Sequence, residues 1–251
     1  MKKVIVKNCI QALLFAVTFI GVWTAVYYIV GNDILLPSFF DCCKAIFVLL
    51  SSAEFWQAFL GSLQRVCIAF IFSFTLGGCF AIVSYLYPSF SKWISPVVAF
   101  LRALPTLVVL LIILVWTGAG VAPVIVAFLS LFPVLYTGIY GALLGVDKKL
   151  VEMSNVYKVP LKLQVTKMYI PCVLPQVYVS AGAGVSFAIK LVVSAEVLAR
   201  TAHSLGNAVQ ELQIYMQTAE TFALALLLCL FGAVFECLGL ALSKRAQRSL
   251  Q

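Results

Sequence analysis

Charge is what this sequence has least of: only 10% of its 251 residues are Asp, Glu, Lys or Arg. That poverty excludes a water-soluble globule. A chain of this length buries about three-quarters of its unfolded surface and must cover the remainder with polar groups. Here 63% of the residues are aliphatic, aromatic or cysteine, and the mean hydropathy is +1.09. Histidine is nearly absent as well. The one copy, His203, falls in a loop between apolar runs, and no cluster of His, Cys and carboxylates flanks those runs, which leaves hydrolytic and metal chemistry without carriers. No GxxxxGK[ST] run is present to cradle nucleotide phosphates. The eight cysteines are not a disulfide framework either. Cys9, Cys67, Cys79, Cys229 and Cys237 sit inside apolar runs, where cysteine behaves as a small apolar residue. Cys42 and Cys43 are adjacent and so poorly placed to bridge each other, Cys172 stands apart, and no metal-ligand spacing occurs.

What the sequence does have is long apolar runs. Crossing a hydrocarbon core of about 30 Å takes roughly 20 helical residues. Six stretches qualify: 9–30, 66–87, 97–117, 121–146, 177–198 and 221–243. The first follows Lys2, Lys3 and Lys7 but exceeds a secretory h-region and precedes no small-residue cleavage site, so it reads as a retained helix. Between the first two runs, Ala45–Leu50 is too short to cross and belongs along the outer interface. Ser51 and Glu54 have capping-box spacing, predicting a helix start there that carries Trp56, Phe59, Leu60 and Leu63 on one side. The short links predict one all-α membrane domain over residues 1–251.

Cations set the orientation, because Lys and Arg near span ends stay on the cytoplasmic side. With both termini inside, twelve of the seventeen face inward: Lys2, Lys3, Lys7, Lys92, Lys148, Lys149, Lys158, Lys162, Lys167, Lys244, Arg245 and Arg248. Only Lys44, Arg65 and Arg200 face outward. The net charge of +8 is thus accounted for by topology and acidic lipid, and requires no nucleic acid.

Four ionisable residues lie within the runs: Arg102, Lys190, Glu196 and Glu236. A charge near the bilayer centre costs about 2.5 kcal/mol or more, so each is expected to face protein or water. Lys190 either attracts an anionic solute or pairs with Glu236, and Glu196 near an outer end snorkels, stands at a gate or touches solute in the translocation path. Arg102, in the inner third of its run and just ahead of Pro105, marks a structural kink or a gate hinge. Ser180, Gly184 and Ala188 recur every four residues, which suits close helix packing or the wall of a translocation path.

The segment 147–175 is the one long loop, on the cytoplasmic side. Asp147 can cap a short helix in which Leu150, Val151, Ser154 and Tyr157 share a face. Pro160 disfavours helical geometry at Val159 and suits the start of a second helix, so the loop reads helix, bend, helix, as far as Pro171 and Pro175. Such a projection can dock in a groove of a soluble partner.

Glu152-Met153-Ser154, then Lys158 six residues after the Glu and Pro171 thirteen after that, resembles the EAA loop of binding-protein-dependent ABC permeases. In that family the triplet is Glu-Ala-Ala and a Gly stands where this chain has Lys158; a left-handed lysine costs about 1 kcal/mol or more. Leu35-Leu36-Pro37-Ser38, Arg102-Ala103-Leu104-Pro105 and Ala195-Glu196 extend the resemblance to the nitrate, sulfonate and taurine branch, which also includes permeases for vitamin precursors. The resemblance implies a MetI-like type I importer fold of six spans, a second permease copy (a homodimer), a cytoplasmic ABC ATPase dimer holding ATP and magnesium, and an extracytoplasmic binding protein. It implies no catalysis and no cofactor in this chain. Glu152, Met153, Ser154, Tyr157, Lys158 and Pro160 would form the ATPase-coupling loop, and the run 177–198 would carry its motion to a path for a small, anionic or vitamin-like solute. A secondary transporter or channel independent of ATP is the alternative, although no paired broken helices in related halves are visible.

Overall fold

The computed structural model describes residues 2–248, and all the secondary structure among them is helical. Side chains of residues 2–13, 15 and 16 lie outside the described residues, and with them Cys9 and the expected inner-face cations Lys2, Lys3 and Lys7. Four helices are long and apolar enough to span a membrane, five if one bent pair counts as a single span, and the described part of the first helix adds a shorter apolar stretch, Val17–Val30.

The chain divides into two compact units. One comprises residues up to Trp56 with Ala208–Leu227. It holds α1 (Lys2–Val30) and α2 (Phe39–Ser51), with the greater part of α10 (Leu205–Ile214) and the start of α11 (Thr218–Arg248). Trp23 organises it. The indole Nε1–H donates to the Pro37 carbonyl (3.1 Å), and its ring meets Phe39 and Phe222 edge-on. Ser38 caps α2, accepting from the Asp41 N–H and donating its hydroxyl to the Asp41 carboxylate. That hydrogen bond, with Lys44 beyond it, holds the Asp41 carboxyl below the usual carboxylate range. Beneath the cap Cys42 is fully buried, and desolvation pushes its thiol up to about 11.

The second unit, Gln57–Asn207 with Leu228–Gln251, is built around α6 (Ala122–Leu144). More than half (56%) of the α6 apolar window is buried, twice the 28% of the two long helices α3 (Ala53–Leu86) and α11. It is therefore the axis on which the others pack. Leu131 and Leu135 of α6 meet Val66 and Ala69 of α3 and Ala188 and Val192 of α9 (Ile170–Ala199). Phe132, Tyr136 and Ile139 meet Ala81 of α3 and Ile94 and Val98 of α4 (Pro88–Ala103). Ala122 and Val126 meet Leu110 and Ile113 of α5 (Thr106–Thr117). Small residues let backbones close in where lipid supplies no hydrophobic drive. A Cβ on Gly182 would lie 2.9 Å from the Cα of Gly239 across the α9–α11 contact.

Two expectations change. Residues 97–117 are not one continuous helix: α4 begins at Pro88, and α4 and α5 meet at a 92° bend across Leu104 and Pro105, because proline cannot continue the hydrogen-bond ladder. The helix that carries the second apolar run begins at Ala53 and includes 66–86 without a break. Its start is fixed by Ser52, whose Oγ accepts the Phe55 N–H (3.0 Å), whereas Ser51 turns its hydroxyl back to the Phe47 carbonyl.

Candidate functional site

Three regions of the second unit carry the residues singled out by sequence. The first is the loop. Asp147 caps α7 (Lys148–Val156) by accepting the Lys149 N–H (2.9 Å). The helix ends in a Schellman motif: the Val159 N–H bonds the Ser154 carbonyl, the Lys158 N–H bonds the Asn155 carbonyl, and Lys158 takes the left-handed conformation at φ 51°. The backbone thus adopts at Lys158 the shape that glycine would adopt without strain. Gln164 Nε2 donates to the Val159 carbonyl (2.9 Å) and fastens the bend. Beyond it α8 (Leu161–Gln164) and a π-helical turn, Val165–Tyr169, run into α9 as one 39-residue helix.

Tyr169 of the π turn meets Tyr85 at the end of α3, hydroxyl to hydroxyl at 3.3 Å. Ser154 is buried, while Glu152 is exposed and the apolar Met153, Val156, Tyr157 and Leu161 are all exposed around the bend. Val156, Tyr157 and Leu161 are each about three-quarters exposed (77%, 76% and 75%).

The second region is α9 itself. Ser180, Gly184 and Ala188 face inward. Ser180 abuts Gly138 of α6, Gly184 abuts Leu135 and Phe70, and Ala188 is fully buried. The adjoining face, about a quarter-turn round the helix, leaves Cys172, Gln176, Ala183, Lys190, Ser194 and Leu198 exposed at intervals of four and seven residues, which is one helical stripe. Its middle is small or polar, unlike a lipid-facing surface. Lys190 and Glu236 are both exposed, and among the described residues they form no ion pair, so of the two alternatives for Lys190 the bridge to Glu236 is not formed.

The third region is the far end of α9 from the loop, where Glu196 is fully buried. It neither snorkels nor faces an opening. Arg65 Nη1 of α3 donates to Glu196 Oε1 (3.0 Å), Ser62 Oγ donates to Oε2 (2.6 Å), and the Gly206 N–H approaches Oε2 at 3.3 Å. The same cluster satisfies the start of α10, whose first N–H groups have no partner inside the helix. Ser62 Oγ accepts from Leu205 N–H (2.8 Å), the carboxylate takes the Gly206 N–H, and Ser204 Oγ takes the Asn207 N–H.

Arg65 Nη2 reaches the Ala202 carbonyl, and Thr201 Oγ1 donates to the Ala119 carbonyl (2.7 Å) between α5 and α6. Space forces two glycines here: a Cβ on Gly206 would lie 2.4 Å from that of Glu196, and one on Gly61 would lie 2.2 Å from the His203 carbonyl oxygen. Sequence reading found Glu196 but not its partners. The available signal was that Arg65 is one of three outer cations and Glu196 the acid at the same end of a span.

Arg102 ends α4 just before the bend at Pro105, at the helix terminus that favours a cation. Its guanidinium donates to Thr137 Oγ1 of α6, beside a cavity between the two helices.

Residues 73–248 match the family model described as "Binding-protein-dependent transport system inner membrane component". A Bacillus subtilis protein named as an aliphatic sulfonates transport permease, SsuC, is 22% identical over 228 residues, covering 90% of this chain and 82% of the relative. A Brucella melitensis protein named as an ABC transporter permease is 25% identical over 213 residues, covering 84% and 86%. Among solved structures, the inward-facing MetNI methionine ABC transporter matches with a TM-score of 0.63 at 19% identity, covering 78% of this chain and 99% of that one. The alginate ABC transporter, solved with an alginate-bound periplasmic protein, matches with a TM-score of 0.62 at 14% identity, covering 93% and 94%. At these identities the structures speak for the fold.

Proposed function

The chain belongs to the binding-protein-dependent transport system inner membrane components, the multi-pass permease subunits of ABC importers, and from that premise we propose that loop 147–169 is the seat of its energy coupling. A separate cytoplasmic ABC ATPase, holding ATP and magnesium, grips the apolar face of Met153, Val156, Tyr157 and Leu161, with Glu152 at its edge. The exposed bend is the observation that carries this reading: water-facing apolar surface on a charged loop is costly unless a partner covers it. Closure of the ATPase moves α7, and the continuous helix from Leu161 to Ala199 transmits the displacement as a rigid body.

A second permease copy faces this one across the stripe of α9, so that Gln176, Ala183, Lys190 and Ser194 line the path. Glu236, exposed on α11, is held as a further path residue. Ser180, Gly184 and Ala188 contribute by packing the path-lining helix tightly against α6 and α3, not by touching solute. An extracytoplasmic binding protein delivers the cargo, as the alginate neighbour with its periplasmic protein suggests. The cargo is a small anion of the sulfonate kind, supported by the SsuC relative and by a lone cation, Lys190, on the stripe.

Co-purification tests the reading. ATP hydrolysis is expected to follow the tagged wild-type chain from membranes and to be lost with Glu152→Ala/Tyr157→Ala, while that variant still inserts. An intact chain that brings down no ATPase, or undiminished uptake by the double variant, overturns it.

A further inference from the structure

Arg102 is a guanidinium without an acid. It lies in the last turn of α4, exposed, just ahead of the bend into α5. Its guanidinium has five N–H donors to satisfy. One goes to Thr137 Oγ1. That oxygen is itself bonded to the Pro133 carbonyl (2.9 Å). Among the described residues both ion pairs lie elsewhere, Lys44 with Asp41 and Arg65 with Glu196, so no carboxylate neutralises it.

Beside Arg102 opens a cavity of about 420 Å³, whose wall includes the hydroxyl-bearing residues Ser91, Ser95, Tyr136, Thr137 and Tyr140 and no acidic residue. This volume falls within the range of small-molecule sites, roughly 300–1,000 Å³. The two phenols are held in place: Tyr136 pairs with Ser84 and Tyr140 with Ser91, each at 2.9 Å, and their rings stack at 5.6 Å. A fixed hydroxyl-lined wall, a permanent cation with spare donors and no internal counter-ion together describe a receptor for a group with several acceptor oxygens.

We propose that the cavity between α4 and α6 is an oxyanion site, in which Arg102 and Ser95 bind a sulfonate, carboxylate or phosphate head, whether that head belongs to a soluble anion or to a lipid. The inference rests on the cavity alone and not on the α9 stripe or on the coupling loop.

The test uses the full chain in nanodiscs with two probes. In phosphatidylcholine discs, ethanesulfonate is titrated and its affinity read from the rise in the thermal unfolding midpoint. In mixed discs, phosphatidylglycerol retained by the protein is counted by native mass spectrometry. Arg102→Gln removes the cation; Ser95→Leu fills the cavity but leaves the Arg102 to Thr137 bond, and stands alone as the decisive variant if Arg102→Gln does not fold. At least a tenfold loss of ethanesulfonate affinity in the variants establishes the site for a soluble anion. Loss of retained phosphatidylglycerol establishes it for a lipid head. The proposal is overturned if the wild type holds neither probe, or if Ser95→Leu binds both as the wild type does.

Discussion

Replacing Arg65 by methionine keeps most of the side-chain volume but strands a buried carboxylate. Glu196 is fully buried and accepts from Arg65 (3.0 Å), Ser62 (2.6 Å) and the Gly206 amide (3.3 Å). Losing the guanidinium leaves a desolvated charge facing two neutral donors, and breaking such a pair from one side costs about 3–5 kcal/mol. Arg65 is itself 18% exposed, so part of its charge is already screened, and the lower end, about 3 kcal/mol, is expected. That is roughly a 150-fold change in the folded-to-unfolded ratio.

The double variant Arg65→Met/Glu196→Met removes both charges and is expected to recover most of the loss, because apolar isosteres of a buried pair are often neutral. Reversible unfolding in mixed micelles, followed by circular dichroism, measures four proteins: the wild type, both single variants and the double variant. A single variant within about 0.5 kcal/mol of wild type, or a double variant whose loss is the sum of its parts, would refute the reasoning.

Two further outcomes follow from single positions. Lys158→Gly relieves the left-handed φ of 51° that closes α7 and is expected to stabilise the loop by about 1 kcal/mol, read as slower hydrogen exchange at Val159. No change in exchange there would mean that the lysine bears no strain. Cys42 is buried with its thiol raised to about 11, so near neutral pH it stays protonated and only gains nucleophilic thiolate as the pH climbs toward that value. A chain retaining Cys42 alone is expected to resist maleimide at pH 7.5 where one retaining the partly exposed Cys43 reacts; equal labelling rates would remove the burial argument.

The apolar runs, the proline-marked bend after α7 and the capped start of that helix were all legible in the sequence, because each depends on residues within a turn or two of one another. So was the resemblance of the Glu152 to Pro171 spacing to the family that residues 73–248 match. The bend at Pro105 was visible as a kink, but not as a 92° turn between two separate helices. Nothing local sets that angle; it depends on what α4 and α5 each pack against on α6.

Which charges would meet was equally beyond the sequence. Lys190 and Glu236 looked like natural partners by position, yet the pair that forms is Glu196 with Arg65, 131 residues apart along the chain. Hydropathy decides that a residue lies in a helix within the membrane, since it is a sum over neighbours. Which side of that helix turns to protein is decided by how close another backbone can come. Small residues such as Gly206 and Gly61 permit that approach, but it exists only once the helices have packed.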